Sequence, residues 1–235
     1  MITLEDFKGF LEKGTHDGQE YQYLDTPRPL SRYYSMRFAF EWFRAHAGKT
    51  IVELGTIRSY VGGGHPGCNT DDKSLWDFNK PEGWDWGGGM FSLLCAMCLE
   101  DLSPRIITVD IQAQHIERCK HMTIRYDRFF EYHVMNSVDY LKQCPYAIDL
   151  LYVDTGDMWP IEPTAALQMQ EAREIVSREL LSKSGIMLID DVRNTTPYKF
   201  GETAPLGKSK YSVPFLEKEG YKRLIDEYQV VMAKK

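Results

Sequence analysis

From residue 49 onward, short β-rich runs alternate with helical stretches, and this alternation limits the chain to a parallel sheet covered by helices on both faces. The runs are "KTIVELG" (49–55), "RIITVDI" (105–111), "FEYHVMN" (130–136), "IDLLYVD" (148–154) and "GIMLIDD" (185–191). Between them, "GGMFSLLCAMCLEDL" sets Phe91, Leu94, Cys95 and Cys98 at helical spacing. "QAQHIERCKHM" follows, then "SVDYLKQC" with Ser137 as its predicted cap, then a long helix predicted to stop at Gly185. The tail predicts a short helix interrupted by Pro214 and two β-runs close enough to form a hairpin. The expected fold is therefore a doubly wound α/β sheet of seven strands, five parallel plus an antiparallel C-terminal hairpin.

Two regions stand outside the alternation. Residues 1–48 form an aromatic-rich extension whose second half predicts an amphipathic helix, and residues 57–86 form a long polar and aromatic insertion after the first strand. Loops of this length are more often functional than neutral, so both are candidate lids. Residues 49–235 make up the expected ligand-binding domain.

A formal charge of −6 with no long basic run points away from a nucleic-acid partner and toward a small molecule. The opening "MITLEDFKGFLEKG" has acids where a secretion leader needs a basic stretch, and no segment approaches a membrane span of about 20 apolar residues. A cytoplasmic protein with no membrane partner is expected. The five cysteines read as reduced thiols; "CAMC" (95–98) with "HPGC" (65–68) has zinc-like pairing, but the first pair falls in an apolar helix where cysteine acts as a small hydrophobe. Of the histidines, His65 is the one of interest, because it lies in the insertion. Aromatics at 21, 23, 33, 34, 76, 84 and 86 read equally as packing or as walls of a substrate cleft.

In an open parallel sheet, ligands bind beyond the carboxyl ends of the strands. The exits here are Glu53-Leu54-Gly55-Thr56, Asp110, Asn136-Ser137, Asp154 and Asp190-Asp191. A glycine after the first strand lets a nucleoside approach the backbone, and an acid closing the second can accept both hydroxyls of a ribose. "ELGT" lacks the phosphate-cradling G-x-G-x-x-G and begins with an acid that would repel a pyrophosphate; "GGG" at 87–89 sits beyond the insertion. A positively charged nucleoside cofactor fits better than a dinucleotide. The alternative for Asp110 is a cap on the next helix, and for one of Asp190 and Asp191 a loop-holding role.

In "VELGT", "VDI", Asn136-Ser137, "DLLYVD" and "GIMLIDDV", over residues 49–235, the chain resembles class I S-adenosylmethionine-dependent methyltransferases, whose sheet is Rossmann-like. That resemblance implies cofactor contacts at Glu53, Gly55, Thr56, Asp110, Ile111, Asn136, Ser137 and Asp154, with Asp110 on the ribose. The aspartate ending the fourth strand and the pair ending the fifth resemble the metal-dependent O-methyltransferases of sugar hydroxyls in macrolides and related glycosides. This implies magnesium on Asp154, Asp190 and Asp191, a small hydroxylated acceptor, and a proton taken by Asp154 or Asp157. Two departures stand out. The sugar-acting relatives continue the fourth strand as Asp-Gly-Asp, where this chain has Asp154-Thr155-Gly156-Asp157; catechol-type relatives carry a lysine three positions after the first metal aspartate, where this chain has Asp157. Other readings are a nucleotide-linked oxidoreductase on a similar sheet and a non-catalytic cofactor-binding module. The aromatic extension also offers a surface for a homo-oligomer.

Overall fold

Alternate residues of the β-runs go to opposite faces of one sheet, as the period of two requires. The computed structural model describes residues 2–12, 31–63, 66–88, 90–157, 160–192 and 206–235, and the backbone of 22–23 and 26–27. The strands of its main sheet are β1 (Thr50–Leu54), β2 (Arg105–Asp110), β3 (Phe130–Val134), β4 (Ile148–Val153), β5 (Leu181–Ile189), β6 (Tyr221–Asp226) and β7 (Val230–Lys234), beside a separate two-residue antiparallel pair, Gln22–Tyr23 with Thr26–Pro27. They form a seven-stranded sheet in the order β3-β2-β1-β4-β5-β7-β6. β1 to β5 run parallel, and β7 pairs antiparallel with both β5 and β6. The expected Rossmann-like architecture is the observed one.

Helices α1 (Tyr33–Ala45), α2 (Phe91–Cys98) and α3 (Ala113–Thr123) cover one face. There Phe40, Phe43, Leu94 and Met122 meet Ile51, Ile106, Leu150 and Ile186. The intervening residues Val52, Ile107, Leu151 and Met187 point the other way. They meet Leu141, Ala172, Ile175 and Leu216 of α4 (Ser137–Gln143), α5 (Ile161–Ser177) and α6 (Ser212–Lys218). Burial on both faces is why these runs are nearly continuous in apolar residues.

Three local expectations are corrected. The long helix stops at Ser177, because Glu179 turns left-handed (φ 50°) and Leu180 begins to pair with β4 through its carbonyl. Gly185 lies inside β5 instead, where a Cβ would meet the Ile148 carbonyl oxygen at 2.5 Å. The cap of α4 is Asn136, whose Oδ1 accepts from the Val138 and Asp139 amides, while the Ser137 hydroxyl turns inward to Glu171. Pro214 does not interrupt α6; it sits in the first turn, where its missing N–H has no helical partner to lose.

The insertion is folded against the N-terminal segment. Val61 and Trp84 form an antiparallel bridge, and the buried Trp84 ring stacks on Phe7 (5.6 Å) and Trp76 (5.1 Å). His65, Gly89 and the side chains of Tyr21 and Tyr23 lie outside the described residues. No helix among the described residues is long and apolar enough to cross a membrane.

Candidate active site

The chain runs outward from β1 through β2 to β3 and then returns to β4 beside β1, so the crevice of an open sheet falls at the carboxyl ends of β1 and β4. The ladder continues past the strand ends: Gly55 N–H donates to Val109 O (2.8 Å), Asp154 N–H to Leu54 O (2.9 Å) and Asp190 N–H to Val153 O (3.0 Å). Gly55 has φ 82°, and a Cβ there would lie 2.4 Å from the Asp154 carbonyl oxygen. Only glycine fits this close approach of β1 to β4.

The residues expected to hold a cofactor divide into two groups. Asp110 faces the β1 exit: its Oδ2 accepts from the Thr56 amide (3.0 Å) and lies 3.1 Å from His115 Nδ1, and its Oδ1 accepts from the Gln112 amide (2.7 Å). Next to it Ile111 is 64% exposed, a large apolar side chain left uncovered at the sheet edge. Glu53, in contrast, is buried under α2, accepting from the Ser92 hydroxyl (2.7 Å), and burial lifts it to about 7 despite the Ser92 bonds. Ser137 is likewise turned away, with its hydroxyl and that of Thr155 (3.0 Å) on Glu171, a second fully buried carboxyl raised to about 7 by desolvation. The Asn136 side chain is occupied as a helix cap.

The three aspartates of β4 and β5 converge: one oxygen of each of Asp154, Asp190 and Asp191 lies within 4.8 Å of the others. Their compensation comes from two cations that the sequence did not mark. Arg32, just before α1, donates to Asp190 from Nη2 (2.6 Å) and Nε (3.0 Å), and lies 4.0 Å over the Trp86 ring. Tyr152 (2.8 Å) and Gln229 (2.9 Å) also donate to Asp190. Lys208, in the turn Gly207–Ser209, donates to Asp154 (2.7 Å) and forms an ion pair with Asp191 (2.9 Å); the Tyr228 hydroxyl also donates to Asp191.

Burial alone would push Lys208 down, but the three carboxylates outweigh it and hold the ammonium above its ordinary value. Burial pushes Asp154 up to about 7 against the pull of Lys208. Burial would raise Asp191 too, but Lys208, Arg32 and the Tyr228 hydroxyl hold it well below the usual carboxylate range. Asp157 is outside this cluster, 71% exposed and paired with Arg58 at 2.6 Å.

As it stands, the cluster does not fit a hard dication. An ammonium already bridges Asp154 and Asp191. Two unit charges about 4 Å apart repel by roughly 4 kcal/mol at an effective dielectric of about 20, and a double charge doubles that. The zinc pairing finds no support in the geometry of its helix half: Cys95 and Cys98 are buried in α2, and desolvation keeps both thiols protonated, Cys98 at about 12. Among the aromatics, Trp84 is packing, whereas Trp86 borders Arg32 and lies 5.5 Å from Tyr228. A cavity of about 300 Å³ between the insertion and α3, beside Trp76, Phe78 and His121, is lined by no strand-exit residue.

No protein-family model matches the chain, and no curated protein matches it. Solved structures do. The SAH-bound methyltransferase PaMTH1 of Podospora anserina superposes with a TM-score of 0.56 at 16% identity, over 98% of this chain and 86% of that one. The CMeT domain of the citrinin polyketide synthase gives 0.52 at 13% identity, over 89% of this chain and 54% of that one. TrmN from Thermus thermophilus gives 0.50 at 13%, over 90% and 55% respectively. The chain thus spans about half the length of the last two, and it shares its fold with methyltransferases.

Proposed function

We propose that the chain is an S-adenosylmethionine-dependent O-methyltransferase acting on a hydroxyl of a small molecule, with a sugar or glycoside as the leading acceptor. The observation that carries this reading is the β1 exit: a glycine that no other residue can replace, beside an acid closing β2, in a fold shared with an SAH-bound methyltransferase. When bound, the cofactor supplies an electrophilic methyl group on a sulfonium. Asp110 would accept the ribose hydroxyls, Gly55 and Thr56 would present backbone, and the exposed Ile111 would cover an apolar base face.

An alcohol is a weak nucleophile until its proton is removed. Asp154 suits that role: it stands at the β4 exit, is 17% exposed, and has been brought by burial to about 7, near the value that favours a general base. Asp157 is the second candidate and would first have to leave Arg58. Magnesium on Asp154, Asp190 and Asp191 is supported by their convergence and opposed by Lys208, so orientation of the acceptor falls to the chain's own side chains.

Calorimetry with S-adenosylhomocysteine tests the reading. Binding is expected, weakened about tenfold or more by Asp110→Ala, a change of at least about 1.4 kcal/mol. Intact affinity in Asp110→Ala, or displacement of the ligand by NADH, would overturn it.

A further inference from the structure

We propose that the Lys208 ammonium is the resident cation of the aspartate cluster, standing where a dication would stand, so that the site is assembled and held without a divalent metal. An ammonium has three N–H donors, and Lys208 has three acceptors: Asp154 Oδ1 at 2.7 Å, Asp191 Oδ2 at 2.9 Å and the Gly156 carbonyl at 3.3 Å. Its side chain is 1% exposed. Asp190 is equally filled. Its two oxygens offer about four lone-pair sites, which the two Arg32 nitrogens, the Tyr152 hydroxyl and the Gln229 amide occupy.

The position of Lys208 is built into the fold. Gly207, at φ 49°, sits so close to the β5 exit that a Cβ would meet the Asp191 carbonyl oxygen at 2.2 Å and that of Val192 at 3.1 Å. On the other side, the buried Ser209 hydroxyl donates to Gln168 of α5 at 2.8 Å. The turn is therefore fixed on both flanks, and the lysine between them is delivered into the cluster.

Charge points the same way. Three carboxylates against Arg32 and Lys208 leave one net negative charge. Without Lys208 the balance is two negative charges, the complement of a dication. Removing the lysine should therefore free Asp154 and Asp191 to ligate a divalent ion, with Asp190 still held by Arg32.

Mn²⁺ titration followed by the electron paramagnetic resonance of the free ion tests this, and it reads the cluster alone, whether or not methyl transfer occurs. The wild-type chain should leave the free-ion signal unchanged up to about 1 mM, and its melting temperature should be the same in EDTA and in magnesium. Lys208→Ala, with room for the ion, should bind one Mn²⁺ per chain at least about tenfold more tightly than wild type, and Asp154→Asn added to it should abolish that binding. Stoichiometric wild-type binding below about 1 mM would overturn the proposal. So would a folded Lys208→Ala that takes up no Mn²⁺. If Lys208→Ala does not fold, the wild-type titration and the shorter, neutral Lys208→Gln decide by the same criteria.

Discussion

Replacing Asp190 by asparagine should be among the most destabilising single changes in this chain. The carboxylate is 0% and the Arg32 side chain 2% exposed, so Asp190→Asn leaves a guanidinium buried opposite a neutral amide. Breaking a buried pair from one side costs about 3–5 kcal/mol, because the remaining charge keeps its desolvation penalty and loses its partner. The upper half of that range applies, since Tyr152 and Gln229 also lose a charged acceptor. For a chain of 235 residues, a loss of about 4–5 kcal/mol corresponds to a fall of about 8–20 °C in melting temperature, at roughly 2–4 °C per kcal/mol. Urea unfolding at 25 °C would measure it directly. Arg32→Met should cost a similar amount, and the double variant should fall short of the sum of the singles by about 1–3 kcal/mol, because it leaves no charge stranded. A loss below about 1 kcal/mol in Asp190→Asn, or strict additivity of the pair, would refute the reasoning.

Three further outcomes follow from the same geometry. Glu53 and Glu171, both raised to about 7, hold protons in the folded chain that the unfolded chain releases near its ordinary value of 4.5. Their contribution is fully present below that value and is lost as pH rises through about 7, by a few kcal/mol at most, so urea midpoints should decline over that window and the decline should shrink in Glu171→Gln. Gly55→Ala forces a Cβ against the Asp154 carbonyl oxygen at positive φ; it should cost at least about 1–3 kcal/mol and weaken S-adenosylhomocysteine binding, both readable in one thermal-shift titration. Asp157→Ala removes an exposed ion pair with Arg58 and should change stability by less than about 1 kcal/mol, so a large loss of turnover in that variant would identify Asp157 rather than Asp154 as the base.

The sheet was readable because its strands are short runs of β-branched and aliphatic residues ending in Gly, Asp or Asn, and a parallel strand buried on both faces can look like little else. The end of α5 was not, because Glu179 takes a left-handed turn that a glycine normally marks, while the glycine that resembled a stop, Gly185, was needed for a close strand approach. The aspartates were readable because each closes a strand. Their partners were not: Arg32 lies 158 positions from Asp190, and Lys208 lies 54 from Asp154, in a "GKSK" tract that looks like solvated loop. Glu171 was hidden in an amphipathic helix, where a glutamate ordinarily faces water. Local pattern reports which element a residue belongs to, whereas the pairing of buried charges is settled by topology.

That topology gives the cluster a particular dependence. The carboxylates come from the parallel strands, but both cations come from segments outside them: Arg32 from the N-terminal extension and Lys208 from the turn that precedes the terminal hairpin. Without those segments docked, three acids would face one another at the exits of β4 and β5, a state that burial makes costly. The pull works in both directions, since neither a buried lysine nor a buried arginine would dock on a neutral edge. The extension and the tail are thus electrostatically required by the sheet edge that they cover, and the candidate catalytic carboxylate, Asp154, reaches its final environment only when Lys208 has arrived.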